Sequence, residues 1–267
     1  MDTDENFRIA ESFDRRAREY GKNEWHRVYA ERLVELVPLH SGDLVLDAGT
    51  GTGFAAMAVA QRVGPSGHVL GVDVSDGMLH IARTSISTAN LQNIDLLKAD
   101  ATAINQCASS TFHAVICAAS LLYMPLAKAL AEWLRILKPG GTLAFSTMRM
   151  GSPRGGQLFR DCAAAFGIKL KDPSWALGSE DRCRVALESA GFEGVRVIPG
   201  HVELSSSDLV QAWTSNFHSA AHSEVRLLSL PDQEELRKRY ERCLLDAQTE
   251  DPTTIFHADV LYALGKK

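Results

Sequence analysis

Apolar residues fall along this chain in two periods. Short, nearly continuous apolar runs recur at 44–46, 68–72, 94–98, 112–118 and 142–147, rich in Val, Leu, Ile and Ala, and such runs read as strands covered on both faces. Helical spacing fills several intervals between them. It covers Phe54–Val63, the stretch after Ser75 containing Met78, Leu79, Ile81 and Ala82, and 125–137, where Leu126, Leu130, Trp133, Leu134 and Leu137 share a face. Ser75 is an expected N-cap, Pro125 is tolerated near a helix start, and Lys138-Pro139-Gly140-Gly141 reads as the turn that stops the third helix. Strand-helix alternation of this kind predicts right-handed crossovers and a doubly wound α/β sheet.

Both ends of the chain add to that core. Two helical patterns precede the first strand, one through Phe13, Ala17 and Tyr20, the other through Trp25, Val28, Tyr29, Leu33 and Val37. After the fifth strand, 148–178 is irregular around a short apolar helix with Leu158, Phe159 and Phe166, placed to cover a ligand. Ser179 should cap a helix over 180–190, ended by Gly191, before strands at 195–198 and 258–264. More than fifty residues separate those last two strands, too many for a hairpin turn. Helical patterns at 209–217 and 233–245 make them a lid on an antiparallel pair. The expected organisation is a helical cap over 1–40, a binding core over 41–147, a lid segment over 148–178, the rest of the sheet over 179–200 and 256–267, and a helical lid insertion over 201–255.

Composition narrows the class. The 267 residues are 45% hydrophobic and 23% charged, as in an ordinary globular protein, and the net charge of −5 disfavours a broad nucleic-acid surface. Five cysteines without C-x-x-C spacing fit reduced thiols, and no histidine, cysteine or carboxylate cluster has metal-ligand spacing. The acidic N-terminus has no apolar signal core and no run is long enough to span a membrane, so the expected location is the cytoplasm.

Candidate chemistry lies at the strand ends. The run 44–46 passes into Asp47-Ala48-Gly49-Thr50-Gly51-Thr52-Gly53, a glycine-rich strand-to-helix turn, and the next two strands end near Asp73 and Asp100. Carboxyl ends of parallel strands line one edge of a sheet, so these acids converge on one crevice, where a carboxylate after the second strand suits a ribose diol. Each acid alone also reads as a turn or helix cap. A dinucleotide fingerprint would need glycine where Phe54 stands, and no Gly-Lys-Ser/Thr follows to make a P-loop.

Asp47 to Gly53 resembles motif I of the class I S-adenosylmethionine-dependent methyltransferases, Asp/Glu-x-Gly-x-Gly-x-Gly. Asp73 within Gly71-Val72-Asp73-Val74-Ser75 is similar to their second acid, and Leu137-Lys138-Pro139-Gly140-Gly141 to the turn leading into their fifth strand. Phe13-Asp14-Arg15-Arg16-Ala17-Arg18-Glu19-Tyr20 resembles a pattern found in the quinone-biosynthesis branch (ubiquinone and menaquinone) and other small-molecule members. The resemblance implies a seven-stranded, mostly parallel, Rossmann-like sheet and S-adenosylmethionine as cofactor, with S-adenosylhomocysteine as product. It places Asp47, Gly49, Thr50, Gly51 and Gly53 at the methionine moiety, Asp73 at the ribose, and Val74 and Met78 beside the adenine. Asp100 and Ala101 fall at the adenine edge, Ala118 and Ala119 beside the sulfonium, and Tyr20 over the methionine end.

The acceptor is less defined. Relatives in the family often carry histidine soon after the fourth strand, whereas this chain has Ser120-Leu121-Leu122-Tyr123-Met124. Tyr123 and the lid histidines His218 and His222 are the candidate proton-handling groups. A small, fairly apolar metabolite such as a quinone, natural product or polyketide-like compound is the expected acceptor, through O, C or N. Two other readings stay open: a protein of this fold that binds the cofactor without methyl transfer, as a cyclase or binding module, and a nicotinamide-dependent oxidoreductase. Monomer and homodimer are both compatible with the sequence.

Overall fold

The computed structural model describes residues 3–20 and 24–267; within 1–40, residues 1, 2 and 21–23 lie outside the described residues. Seven strands form one sheet: β1 (Leu44–Ala48), β2 (His68–Asp73), β3 (Ile94–Lys98), β4 (Phe112–Ala118), β5 (Leu137–Met148), β6 (Glu193–Glu203) and β7 (His257–Lys266). Their order is β3-β2-β1-β4-β5-β7-β6. The first five pair in parallel, and β7 runs antiparallel to both β5 and β6. This is the predicted seven-stranded, mostly parallel sheet.

Both faces are covered, which is why the inner strands are nearly continuous in apolar residues. On one face α2 (Glu24–Leu36) and α3 (Phe54–Val63) bury Tyr29, Leu33, Val34, Val59 and Val63 against Val45, Ile116 and Tyr262. On the other, α5 (Leu126–Ile136) and α7 (Glu180–Ser189) bury Leu130, Trp133, Ile136, Cys183 and Leu187 against Leu46, Val115, Leu143 and Phe145. Trp133 is fully buried, and its indole N–H donates to the carbonyl of Ala101 at 2.9 Å. That bond pins the loop after β3 to α5, so truncating Trp133 to Ala should cost about 3–5 kcal/mol.

Two remaining core-side helices are α1 (Thr3–Tyr20) and α4 (Asp76–Thr88), the latter capped by Ser75, whose hydroxyl accepts from the amide of Met78 at 3.0 Å. The Asp14 carboxylate ties α1 to this cap, accepting from the Ser75 hydroxyl and from the amide of Gly77 at 2.8 Å. In the lid, α6 (Arg154–Ala164), α8 (Ser206–Phe217), α9 (Leu230–Glu250) and α10 (Pro252–Phe256) surround their own apolar centre of Phe159, Trp213, Val225, Leu236 and Tyr240.

Three local expectations change. Lys138–Gly141 is not a free turn, because β5 starts at Leu137, pairs with Phe112, and absorbs the glycines where the register shifts between Phe112 and Ala114. The strand expected at 195–198 continues to Glu203 through Pro199, permissible because β6 is the edge of the sheet and an outer N–H has no partner to lose. Between α8 and α9, where the sequence shows only a polar stretch, a 3₁₀ segment, Ala220–Leu227, buries Val225 into the lid core.

Candidate functional site

The carboxyl ends of β1, β2 and β4 lead into a cavity. Its walls include Asp47, Gly49, Thr50 and Gly51 from the first turn, Asp73, Val74 and Met78 from the second, Asp100 and Ala101 after β3, Ala118 and Ala119 after β4, and Tyr20 from α1. Twelve of the thirteen predicted cofactor-site residues therefore share one chamber. The exception is Gly53, at φ +90°, which stands behind the loop as N-cap of α3; a Cβ there would lie 3.3 Å from Ala82.

The glycine loop is held from three sides. The amides of Gly49 and Thr50 donate to the carbonyl of Val72 at 2.8 and 2.9 Å, that of Gly51 donates to Asp73 Oδ2 at 2.8 Å, and the Ser120 hydroxyl donates to the carbonyl of Gly49 at 2.9 Å. Gly49 has φ +72°, and a Cβ there would lie 2.4 Å from that of Ser120. Glycine thus lets the turn pass under the exit of β4. At Gly51, φ +55°, a Cβ would meet no atom within 4 Å, so this stretch of backbone faces open cavity.

Asp47 is completely buried, and Thr50 donates to its Oδ2 at 2.6 Å while Oδ1 has no hydrogen-bond partner among the described residues. Burial raises its pKa to about 7, against the lowering effect of Thr50. Asp73 is also raised, chiefly by burial, although its Oδ1 accepts from the amide of Ser75 at 2.9 Å and its Oδ2 from Gly51. Asp100 accepts from the amide and hydroxyl of Thr102 at 2.8 and 2.7 Å.

Several wall residues carry no motif and were not singled out in the sequence. His26 is stacked on Tyr20 with ring centroids 4.0 Å apart; burial lowers its pKa to about 3, and its Nδ1 has no partner among the described residues. The Tyr29 hydroxyl is also buried, with the Ser146 hydroxyl of β5 as its polar neighbour. The helical stripe containing Trp25 and Tyr29 signalled packing, and His26 lies beside it, so only the site's geometry brings the His26 ring to the cavity. Asp47 Oδ1 and His26 Nδ1 are thus buried polar atoms of cavity-lining residues with no partner among the described residues.

A second, larger cavity adjoins the first and shares Ile9, Tyr123 and Met124 with it. Tyr123 follows β4 in the 3₁₀ turn Leu121–Tyr123 and meets Phe13 edge-on at 5.1 Å. His218, at the end of α8, lines the second cavity, and its carbonyl accepts from the Ser12 hydroxyl at 3.2 Å, joining lid to α1. Partial burial and the guanidiniums of Arg226, Arg16 and Arg15 lower its pKa. His222 lines neither cavity. It is buried against Phe159, with ring centroids at 5.2 Å and Nδ1 3.1 Å from the carbonyl of Asn216, so the expectation that it faces the acceptor is corrected to a place in the lid core. Among the described residues no group of three or more His, Cys, Asp or Glu is arranged to hold a metal, and no helix is long and apolar enough to cross a membrane.

A doubly wound sheet with a glycine turn over acids at successive strand ends defines a nucleoside-binding α/β protein. A family model described as a methyltransferase domain matches residues 45–141. The demethylmenaquinone methyltransferase of Listeria monocytogenes is 30% identical over 189 residues, covering 65% of this chain and 79% of the relative. The arsenite methyltransferase of Halobacterium salinarum is 27% identical over 176 residues, 66% of this chain and 43% of that one. Among solved structures, a putative methyltransferase from Bacillus halodurans shares the fold, with TM-score 0.59 at 19% identity over 89% of this chain and 98% of the other. This chain belongs to the class I S-adenosylmethionine-dependent methyltransferases.

Proposed function

We propose that the first cavity holds S-adenosylmethionine and that the second holds a small, largely apolar acceptor, the two meeting at the neck formed by Tyr123 and Met124. The observation that carries this reading is the shared wall of Ile9, Tyr123 and Met124 between a chamber with unpartnered buried polar atoms and a larger one under the lid. The first chamber fits the cofactor in the open face of Gly51 and in the Asp47 Oδ1, unpaired among the described residues.

In this reading Asp73 accepts from the ribose hydroxyls, Val74 and Met78 flank the adenine, and Asp100 and Ala101 address its edge. Asp47, Gly49, Thr50 and Gly51 surround the methionine end under Tyr20, and Ala118 and Ala119 border the sulfonium; Gly53 serves by shaping the turn. When bound, the cofactor supplies a methyl group already activated on a sulfonium. The work left to the chain is to align the acceptor and keep water out, which Phe13, Tyr123 and the lid do by walling the neck. His218, whose pKa is lowered by partial burial and by the guanidiniums around it, takes the acceptor's proton, and Tyr123 orients the acceptor atom.

An apolar ring acceptor, quinone-like or polyketide-like, is supported by Ile9, Leu122, Met124 and Pro173 in the second cavity and by the demethylmenaquinone relative. The domain reading follows the same division in part: cap 1–40 contributes to both chambers, with Tyr20 and His26 in the first and Ser12 and Arg15 in the second. The core 41–147 supplies most of the first and the 122–125 wall of the second, and the lid segments 148–178 and 201–255 reach only the second, through Pro173, His218 and Arg226. The test is incubation with methyl-labelled S-adenosylmethionine and a panel of phenols, quinols and polyketides, with RNA and bulk protein in parallel. Label in a small molecule is expected; label confined to RNA or protein overturns the reading. Tight cofactor binding with no transfer to any of them would favour a binding module or cyclase.

A further inference from the structure

The second cavity is not uniformly apolar. Arg8, Arg15 and Arg226 line it with Glu11 as the one acid, in a chain whose net charge is −5. Arg226 is half-buried and held in place because its Nη1 donates to the carbonyls of Phe217 and Ser219 at 2.6 and 3.2 Å, at the end of α8. Arg15 reaches in from α1 and pairs with Glu11 at 3.2 Å, one turn away on the same helix. Arg16, the next residue on α1, lines neither chamber; its guanidinium lies 4.7 Å from the Phe13 ring centroid, its Nε donates to the carbonyl of Ser12, and its Nη2 is buried with no partner among the described residues.

Arg15 is paired with Glu11, whereas no carboxylate lies within ion-pair distance of Arg226 among the described residues. Burial and the charges of Arg15 and Arg16 lower the pKa of Arg226, and Glu224 opposes that only weakly. A packing role explains one nitrogen of Arg226, the one that caps α8. It does not explain why cations from α1 and from the lid meet across a cavity, where like charges repel unless an anion sits between them.

We propose that the acceptor carries an anionic group, a carboxylate, sulfonate or phosphate, and that Arg226 and Arg15 bind it in the second cavity, on the His218 side. This rests on the reading of that cavity as the acceptor chamber and names the class of acceptor: an apolar body ending in an acid. Tyr123 and Met124 contact the body at the neck, and the arginines set its direction. Arginine suits the task because its fork can hold two oxygens of one anion at once.

The test uses two probes with the same naphthylamine skeleton, anionic 1-anilinonaphthalene-8-sulfonate and neutral N-phenyl-1-naphthylamine. Each is titrated by fluorescence into the whole protein with and without saturating S-adenosylhomocysteine. The sulfonate is expected to bind about tenfold or more tightly than the neutral probe, with that preference falling as salt is raised. Arg226→Gln and Arg15→Gln should each cut sulfonate affinity by at least about threefold and leave the neutral probe unaffected. Glu11→Gln, which removes the competing acid from an exposed site, should strengthen sulfonate binding and leave the neutral probe unchanged, a selectivity that a loosened fold, which exposes apolar surface to both probes, does not give. Equal affinities for the two probes, or equal losses for both in the arginine variants, would overturn the proposal. Calorimetric binding of S-adenosylhomocysteine is measured separately: its absence would refute the cofactor reading, while the probe ratio judges the anion site by itself.

Discussion

In the proposed reading, the buried carboxyl of Asp47 makes cofactor binding a titration. Its Oδ1 has no hydrogen-bond partner among the described residues, its Oδ2 takes one bond from Thr50, and burial, opposed by Thr50 and the Ala56 amide, holds its pKa near 7. If the cationic amino group of the donor requires the carboxylate, the apparent dissociation constant scales as one plus ten to the power of pKa minus pH. That factor is about 2 at pH 7 and about 33 at pH 5.5, so affinity should fall about 16-fold, or ~1.6 kcal/mol, with about half a proton released on binding at pH 7. The range stays below about pH 7.5 because an α-amino group begins to lose its own proton near pH 8. Calorimetry with S-adenosylmethionine in buffers of different ionisation enthalpy measures both quantities, and Asp47→Asn should bind more weakly with a flat profile. A flat wild-type profile, or an unchanged slope in the variant, would refute the reasoning. The unliganded protein gives the converse. A carboxyl whose folded pKa lies above its unfolded value of 3.8 destabilises the fold as pH rises through that interval, and does so fully above about 7. Asp47→Asn should therefore raise unliganded stability at pH 8 by on the order of 2 kcal/mol and change it little at pH 4.

Other perturbations separate binding, folding and chemistry. Asp73→Ala removes the acceptor of the Gly51 and Ser75 amides along with the proposed ribose contact, and should weaken S-adenosylhomocysteine binding by about 1.5–3 kcal/mol; unchanged affinity in calorimetry removes Asp73 from that role. Gly51→Ala, with open space before its Cβ, should lose only about 1 kcal/mol of stability but most of its cofactor affinity. Gly49→Ala, aimed at Ser120, should lower the melting temperature further. Equal melting shifts in the two would contradict the loop geometry. Once an acceptor is found, His218→Gln should lower kcat about 100-fold and leave S-adenosylhomocysteine affinity intact, whereas His222→Gln should leave kcat near wild type and act on thermal stability. A kcat loss in the second variant equal to that in the first would return His222 to the site.

The sheet could be read from the sequence because a buried parallel strand and a capped helix write their periods locally: Ile94–Lys98, Phe112–Ala118 and Phe54–Val63 stand where apolar spacing puts them. The gathering of twelve predicted cofactor-site residues in the first chamber was equally legible, since they sit mostly at strand ends that topology brings together automatically. Gly53 was placed one layer too far forward, because spacing identifies a turn residue but not which side of the turn it occupies. The acceptor side was less legible for a physical reason. His218 and His222 lie four residues apart and look alike in sequence, yet the kink at His222 within Ala220–Leu227 sends one to the cavity and the other into the lid core. Arg226 gives no periodic signal, because its position depends on contacts between α1 and a lid more than two hundred residues away.

The lid leaves the sheet after Glu203 and returns at His257, and these two residues are paired neighbours on β6 and β7. A segment whose ends meet imposes almost no distance requirement on what lies between them, and loop-closure entropy rises only slowly with its length. Under the proposed reading, the lid's share of the acceptor chamber is thus a separable cassette: exchange of residues 204–256 for those of another methyltransferase is expected to leave β1, β2 and β4 in place and to change the acceptor without rebuilding the means of holding the donor.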